Sequence, residues 1–264
     1  MKDVKIVFTD LDSTLTKENG TIDIENKTIF EKLASVGIFV VINTGRPLTY
    51  TIPICKQFNT SGYVITSNGA EIYNIVNKKV IYNNTINKDN LAKLDEFVKK
   101  YDLFFMANSI QKRYTNKKDD NTGFVVVSSL LDIDDEISQV VLESYNLENM
   151  KYLNRDIKEN TTLKIANKTK HIFEGKLLYY DVVNKEVSKG DALVRLCEYL
   201  NIDKSKAMAI GDSSNDIDML KEAGFKVAVA NASDEVKKLA DVVTLSSKEN
   251  GVKLVLDELY SQVN

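Results

Sequence analysis

Val4-Lys5-Ile6-Val7-Phe8-Thr9-Asp10-Leu11-Asp12-Ser13-Thr14-Leu15 is the stretch on which the reading of the whole chain turns. A short apolar run stops at two carboxylates that are separated by one residue. The run has the length and composition of a buried parallel strand, and the polar cluster after it has turn chemistry. In open α/β sheets the carboxyl ends of strands border the crevice where ligands bind. Asp10 and Asp12 can therefore share a metal-centred site, one as nucleophile and the other as proton donor. Asp, Ser and Thr also favour turns, so the same residues suit an Asp-rich turn with no chemistry of its own. This stretch alone leaves both readings open.

Strand and helix patterns alternate on the C-terminal side of it. Asp23 to Val36 carries Ile29, Phe30 and Leu33 on one helical face, with Asp23 as the expected N-cap and Gly37 as the stop. A second apolar run, Ile38 to Ile42, ends in Asn43-Thr44-Gly45-Arg46-Pro47. Pro47 suits the first turn of a following helix. A third run, Tyr63 to Thr66, ends in Ser67-Asn68-Gly69-Ala70. This is the βαβ rhythm of a parallel sheet.

The rhythm breaks near Asn83 and resumes at Ser188. Between them the pattern predicts helices over 87–101 and 134–145 and strands over 103–106, 124–128, 163–166 and 177–183. From Lys189 a helix leads to the strand Ala207 to Ile210, which ends in Gly211-Asp212-Ser213-Ser214-Asn215-Asp216. Further strands are expected at Lys226 to Ala230 and Val242 to Leu245, and a closing helix at Val252 to Val263. The expected architecture is α/β: a Rossmann-like parallel sheet core with helices on both faces, formed by residues 1–82 and 187–264. Residues 83–186 are expected to form an inserted α+β cap domain.

Composition narrows the function. The 264 residues can bury a substantial core. Apolar residues make up 43% and charged residues 28%, the profile of a globular protein. A net charge of −3 gives no electrostatic case for nucleic acid or an anionic membrane. No signal-peptide pattern opens the sequence, and no apolar run reaches the length of a membrane span. Cys55 and Cys197 have no metal-ligand spacing and read as reduced core thiols, which points to the cytoplasm. His171 is the only histidine and lies between polar residues, so a histidine-based triad is not expected and a multi-histidine zinc site is excluded.

The second acidic cluster changes the reading of the first. All strand ends of a parallel sheet share one edge, so Asp10, Asp12, Asp212 and Asp216 can converge. Packed together without a cation they would repel and shift one another's pKa values. A hard divalent cation with oxygen ligands resolves this, and Mg²⁺ suits it best. The alternative is that each acid merely caps the helix that follows it.

With these motifs in place the chain resembles the haloacid dehalogenase-like hydrolase superfamily, in its Cof-like branch with a type IIB cap. Asp10-Leu11-Asp12-Ser13-Thr14-Leu15 resembles that family's nucleophile loop, and Asn43-Thr44-Gly45-Arg46-Pro47 its second motif. Ser188-Lys189-Gly190-Asp191-Ala192-Leu193 resembles the third, and Gly211 to Asp216 with Met219-Leu220 the fourth. Ser67-Asn68-Gly69-Ala70, Val229-Ala230-Asn231-Ala232 and Glu249-Asn250-Gly251-Val252 also match the branch. Ser13 departs from it, standing where the branch usually has Gly. The resemblance is weak across the insert.

The resemblance implies a phosphatase that works through an aspartyl-phosphate. Asp10 would be the nucleophile. Asp12 would be the general acid and then the base, a role that calls for a raised pKa. Mg²⁺ would be held by Asp10, the backbone carbonyl of Asp12 and Asp212, with Asp216 direct or through water. Thr44, Gly45, Lys189 and Asn215 would bind the phosphoryl group. Arg46 either reaches substrate or is a solvated surface charge, and Asn68 is expected at the rim. Lys112, Arg113 and Tyr114 either bind a sugar phosphate or form a solvated loop, and His171 is expected on the surface.

The insert can serve as a lid that selects the leaving group. The expected substrate is a small phosphorylated metabolite such as a sugar phosphate. A phosphomutase of the phosphomannomutase type is one alternative; it would need a bisphosphorylated activator and release no phosphate. A non-catalytic phosphometabolite sensor is another, and the retained acids argue against it.

Overall fold

A computed structural model describes residues 3–17, 19–118, 123–171 and 177–264. In chain order the strands are β1 (Ile6–Thr9), β2 (Phe39–Asn43), β3 (Tyr63–Thr66), β4 (Glu71–Asn74) and β5 (Lys79–Asn83). They continue with β6 (Phe104–Asn108), β7 (Arg113–Thr115), β8 (Val125–Val126), β9 (Gln139–Ser144), β10 (Leu163–His171) and β11 (Leu177–Asn184). The last are β12 (Ala207–Gly211), β13 (Phe225–Ala228) and β14 (Val242–Val243). The helices are α1 (Glu25–Ser35), α2 (Leu48–Phe58), α3 (Lys88–Tyr101) and α4 (Leu147–Asn160). After them come α5 (Lys189–Tyr199), α6 (Ile217–Glu222), α7 (Asp234–Leu239) and α8 (Gly251–Val263).

The chain divides into two compact units. One comprises Met1–Arg46, Tyr50–Tyr82 and Ser188–Asn264; the other comprises Pro47–Thr49 and Asn83–Val187. Among the described residues, the first unit is built on a sheet of order β14-β13-β12-β1-β2-β3-β4-β5. β14 through β3 run parallel, and β4 turns back antiparallel on β3. β1 lies at the centre between β12 and β2, with every residue from Ile6 to Thr9 buried. A strand covered on both faces must be apolar throughout, which is why this run does not alternate. Helices flank the sheet in two groups, α1 with α8 and α5 with α6 and α7. Each buries a stripe at helical spacing: Ile29, Phe30 and Leu33 on α1, and Ala192, Leu193 and Leu196 on α5.

The second unit is a sheet of order β10-β11-β9-β6-β7-β8, antiparallel except for the β7–β8 pair. α3 and α4 pack on each other, and Leu94, Phe105, Leu142 and Leu153 belong to its core.

Several sequence expectations are corrected here. The stretch 134–145 is not a helix: Gln139–Ser144 is strand β9, paired with β6 and β11. Its alternating buried Val140 and Leu142 fit a strand, and the helix starts later, where the Asn146 side chain accepts from the Glu148 and Asn149 amides. Arg113–Thr115 is a strand rather than a loop, with Tyr114 buried and its hydroxyl donating to Asp135 at 2.6 Å. Asp23 does not cap α1: its carboxylate pairs with Lys17 at 2.8 Å, and Ile24 takes the cap position. β4 and β5 add a further pair of strands beyond β3, where the sequence pattern predicts none. His171 ends β10, and its side chain lies outside the described residues.

Candidate active site

β1 and β12 place the first and fourth motifs side by side. Their pairing continues past the strand, because the Asp10 amide donates to the Ile210 carbonyl at 2.9 Å. Asp10 is buried at the end of β1. The chain then turns at once. The Leu15 and Thr16 amides both donate back to the Leu11 carbonyl, and Ser13 is left-handed with φ 61°. On the other strand, Asp212 follows Gly211, and a short 3-10 turn over Ser214–Asp216 brings Asp216 back beneath it. Asp216 Oδ2 accepts from the Asp212 and Ser213 amides at 3.0 and 3.1 Å. Asp216 thus caps its loop and is simultaneously a member of the acidic cluster.

Lys189 completes the cluster from the first turn of α5. Its N-cap Ser188 accepts from the Asp191 amide at 3.0 Å, which fixes the start of the helix. The Lys189 side chain is fully buried, and Nζ donates to Asp10 Oδ1 and, at 2.6 Å, to Asp216 Oδ1. Gly69 lets the Ser67–Gly69 turn press against this helix start. Its φ is +99°, and a Cβ there would lie 2.2 Å from the Ser188 carbonyl oxygen.

The electrostatics report a shortage of positive charge. Carboxylate oxygens of Asp10, Asp212 and Asp216 lie within 4.8 Å of one another. When ionised they carry three negative charges against the single ammonium of Lys189. Burial raises Asp10 well above the ordinary carboxylate range, and Asp216 and Asp212 add to this against the opposing pull of Lys189. Asp212 is pushed up to about 6, first by burial and then by Asp216. Lys189 is held above its usual value, since Asp10 and Asp216 outweigh the opposing effect of burial. The donor set is all hard oxygen and the deficit is two charges, so the residues fit a Mg²⁺ ion.

The remaining candidates take distinct places. Thr44 is buried, its amide donating to Ile65 and its hydroxyl oxygen accepting from the Arg46 amide at 3.1 Å. Arg46 pairs with Asp12: Nη2 reaches Oδ1 at 2.5 Å and Nε reaches Oδ2 at 2.9 Å. That contact chooses neither of the alternatives drawn from sequence, and aims the guanidinium at the second carboxylate. Asn68 is 1% exposed, and its Oδ1 accepts from Asn215 Nδ2 at 3.0 Å. A Cβ on Gly45 would lie 3.1 Å from that same Oδ1. Two residues of the site were not singled out from sequence. Thr14 Oγ1 donates to Asp212 Oδ1 at 2.8 Å, and Asn231 Nδ2 donates to the Ser13 carbonyl at 2.7 Å. Both lie inside quoted motifs, and only the three-dimensional approach of distant loops reveals them.

Comparison with known proteins gives the family and the fold. The profile of the haloacid dehalogenase-like hydrolase family matches residues 7–256. A Bacillus subtilis protein, 5-amino-6-(5-phospho-D-ribitylamino)uracil phosphatase YcsE, is 31% identical over 256 residues, covering 95% of this chain and 93% of its own. A haloacid dehalogenase-like hydrolase from Bacteroides thetaiotaomicron superposes with a TM-score of 0.84 at 24% identity, over 97% of this chain and 99% of its own. A subclass IIB sugar phosphatase shares the fold at a TM-score of 0.80 and 23% identity, over 97% of this chain and 98% of its own. A single family profile thus spans both halves of the sheet and the insert between them, and the chain belongs to the haloacid dehalogenase-like hydrolase family, as a phosphatase of its Cof-like branch.

Proposed function

We propose that this chain is a Mg²⁺-dependent phosphatase that hydrolyses a small phosphorylated metabolite through an aspartyl-phosphate on Asp10. The observation that carries the reading is the cluster of buried Asp10, Asp216 and Lys189 with half-buried Asp212, drawn from opposite ends of the chain. Asp10 supplies an oxygen lone pair to phosphorus while the ester oxygen departs with its bonding pair. Asp12 gives that oxygen a proton, and Arg46 must yield one carboxylate oxygen as it does so. Water then attacks the acyl-phosphate, with Asp12 accepting its proton, and phosphate leaves a regenerated Asp10.

Asp10, the Asp12 carbonyl and Asp212 would hold Mg²⁺. Both Asp216 oxygens already accept hydrogen bonds, which favours its acting through water. The ion supplies Lewis-acid shielding of the carboxylate and phosphoryl charges. Lys189 adds a fixed positive charge, and Thr44, Gly45 and Asn215 are assigned to the phosphoryl oxygens.

The substrate assignment rests on the relatives. YcsE is named for a phosphorylated ribitylamino-pyrimidine, so that compound and sugar phosphates are the first candidates here. Leaving-group selection is assigned to the inserted unit, because Asp10, Asp12, Thr44, Gly45, Lys189, Asp212, Asn215 and Asp216 all lie outside it. The chain is assigned to the cytoplasm. Both cysteines are free and buried, with burial pushing each thiol up to about 12, which suits a reducing compartment. No described helix is long and apolar enough to cross a membrane. The test is a panel of phosphorylated metabolites with free-phosphate readout, in Mg²⁺ and in EDTA. Release of phosphate from a sugar or polyol phosphate in Mg²⁺ alone is expected. Equal release in EDTA from metal-free protein, or product isomerisation without phosphate, overturns the reading.

A further inference from the structure

Two motifs, Val229-Ala230-Asn231-Ala232 and Glu249-Asn250-Gly251-Val252, take no part in the chemistry above. The structure brings them together beside the nucleophile turn. Asn231 Nδ2 donates to the Ser13 carbonyl at 2.7 Å, and Asn231 Oδ1 accepts from the Ser247 amide at 2.8 Å. One carboxamide therefore spans two loops more than two hundred positions apart. With Ser13 and Asp212 it also lines a cavity of about 460 Å³ at the edge of the acidic cluster.

The far end of this bridge is fixed. The amides of Glu249 and Gly251 both donate to the Ser246 carbonyl at 3.0 Å, and Thr244 Oγ1 donates to the Gly251 carbonyl at 2.9 Å. A Cβ on Gly251 would lie 1.9 Å from the Leu245 carbonyl oxygen, so only glycine permits this turn. Ser247 is buried within it. The near end is where support is needed. Ser13 holds a φ of 61°, a region that a side chain with Cβ disfavours. On one side of Ser13 is Asp12; on the other, Thr14 donates to Asp212. A relaxed Ser13 would displace both.

We propose that Asn231 is a positioning residue that ties the nucleophile turn to the 244–251 loop and holds Ser13 in the left-handed conformation on which Asp12 and Thr14 depend. It touches no reacting atom. The inference rests on the roles assigned to Asp10 and Asp12, so Asp10→Asn is measured in parallel. An active Asp10→Asn would sink that assignment, whereas an inactive Asp10→Asn beside a fully active Asn231→Ala would sink only this proposal.

The test uses the full chain with Mg²⁺ and p-nitrophenyl phosphate. Asn231→Ala is expected to lower kcat by about 10- to 100-fold, the scale of a small misplacement of reacting groups. KM should stay within about threefold, because the ground-state binding groups are untouched. If Asn231→Ala does not fold, Asn231→Asp carries the same test, since it keeps the shape and the Ser247 acceptor but loses the donor to Ser13. The decisive arm is coupling. Glycine adopts φ 61° without strain, so adding Ser13→Gly to either variant should recover at least about half of the lost activity on a logarithmic scale. Wild-type kcat in both Asn231 variants overturns the proposal. So does the same fold-loss with Gly or Ser at position 13.

Discussion

Buried carboxylates occur in both units of the molecule, and they are treated in opposite ways. In the inserted unit each has partners of its own. Asp95 meets Lys99 at 2.6 Å, the Ser129 hydroxyl at 2.7 Å and the Leu130 amide at 2.9 Å. Asp156 meets Lys100 and the Tyr101 hydroxyl, both at 2.7 Å. Burial tends to raise Asp95, but Lys99 and the other donors hold it below its ordinary value. The hydrogen bond from Lys100 leads those that lower Asp156. In the sheet unit, Asp10 and Asp216 share one ammonium, and Asp212 has a threonine hydroxyl. Asp10 and Asp212 are raised. Satisfied acids hold a fold together. Acids left short of positive charge mark the place where a cation and a phosphate are to be met.

This contrast can be broken experimentally, most severely at Asp10. Asp10→Asn keeps the shape but removes the nucleophile, and kcat should fall by about 10⁴-fold or more while the fold persists. Wild-type turnover, with deamidation excluded by mass spectrometry, would place the nucleophile elsewhere. A smaller effect is expected at Asp212 in EDTA. Its folded value of about 6 lies above the ordinary 3.8 of an exposed aspartate, so the folded state holds the proton more tightly than the unfolded chain. The contribution of Asp212 to metal-free stability should therefore be greatest below the unfolded value and fall as pH rises through about 6. The loss is about 2 kcal/mol, after a discount for solvent access to a half-buried group. Denaturant unfolding across that window should show it, and both Asp212→Asn and saturating Mg²⁺ should flatten it. A slope equal in wild type and variant would deny Asp212 its uncompensated charge.

Asp156 offers the opposite sign, and no effect on the metal site. Its folded value is lowered, so its contribution is present above the unfolded value and is lost as pH falls through the folded one. Asp156→Asn should cost about 1–3 kcal/mol at neutral pH through weakened hydrogen bonds, and leave Mg²⁺ affinity unchanged by calorimetry. A weakened metal site in this variant would erase the distinction between the two kinds of acid.

Much of this was legible in the chain before any coordinates. Asp10 and Asp212 follow short, mostly apolar stretches that form buried strands of four and five residues, and a buried strand leaves little freedom in what its last residue faces. The convergence of Asp10, Asp212 and Asp216 thus followed from the parallel rhythm, whereas Asp12, expected with them, is paired with Arg46 outside the cluster. The insert was harder to read for a physical reason. Val140, Val141 and Leu142 form a short apolar run that a strand or a buried helix would tolerate equally, and only the Asn146 cap shows where the helix begins. The ties that shape the site, Arg46 to Asp12 and Asn231 to Ser13, carry no periodic signal. They depend on loops meeting in space, and a single sequence does not encode that meeting locally. Ser13 shows the same limit in reverse. Its departure from glycine was visible at once, yet its left-handed φ, the reason glycine suits the place, was not.

The most direct test of the central claim is to trap the intermediate. Enzyme mixed with a good substrate and Mg²⁺ is acid-quenched within a single turnover and reduced with borohydride, which converts an acyl-phosphate carboxyl to an alcohol. Peptide mass spectrometry then reads the modified residue. The account predicts homoserine at position 10 and an unmodified Asp12 within the same peptide. Conversion at Asp12, or a full burst of phosphate with Asp10 unmodified at every quench time, would contradict it.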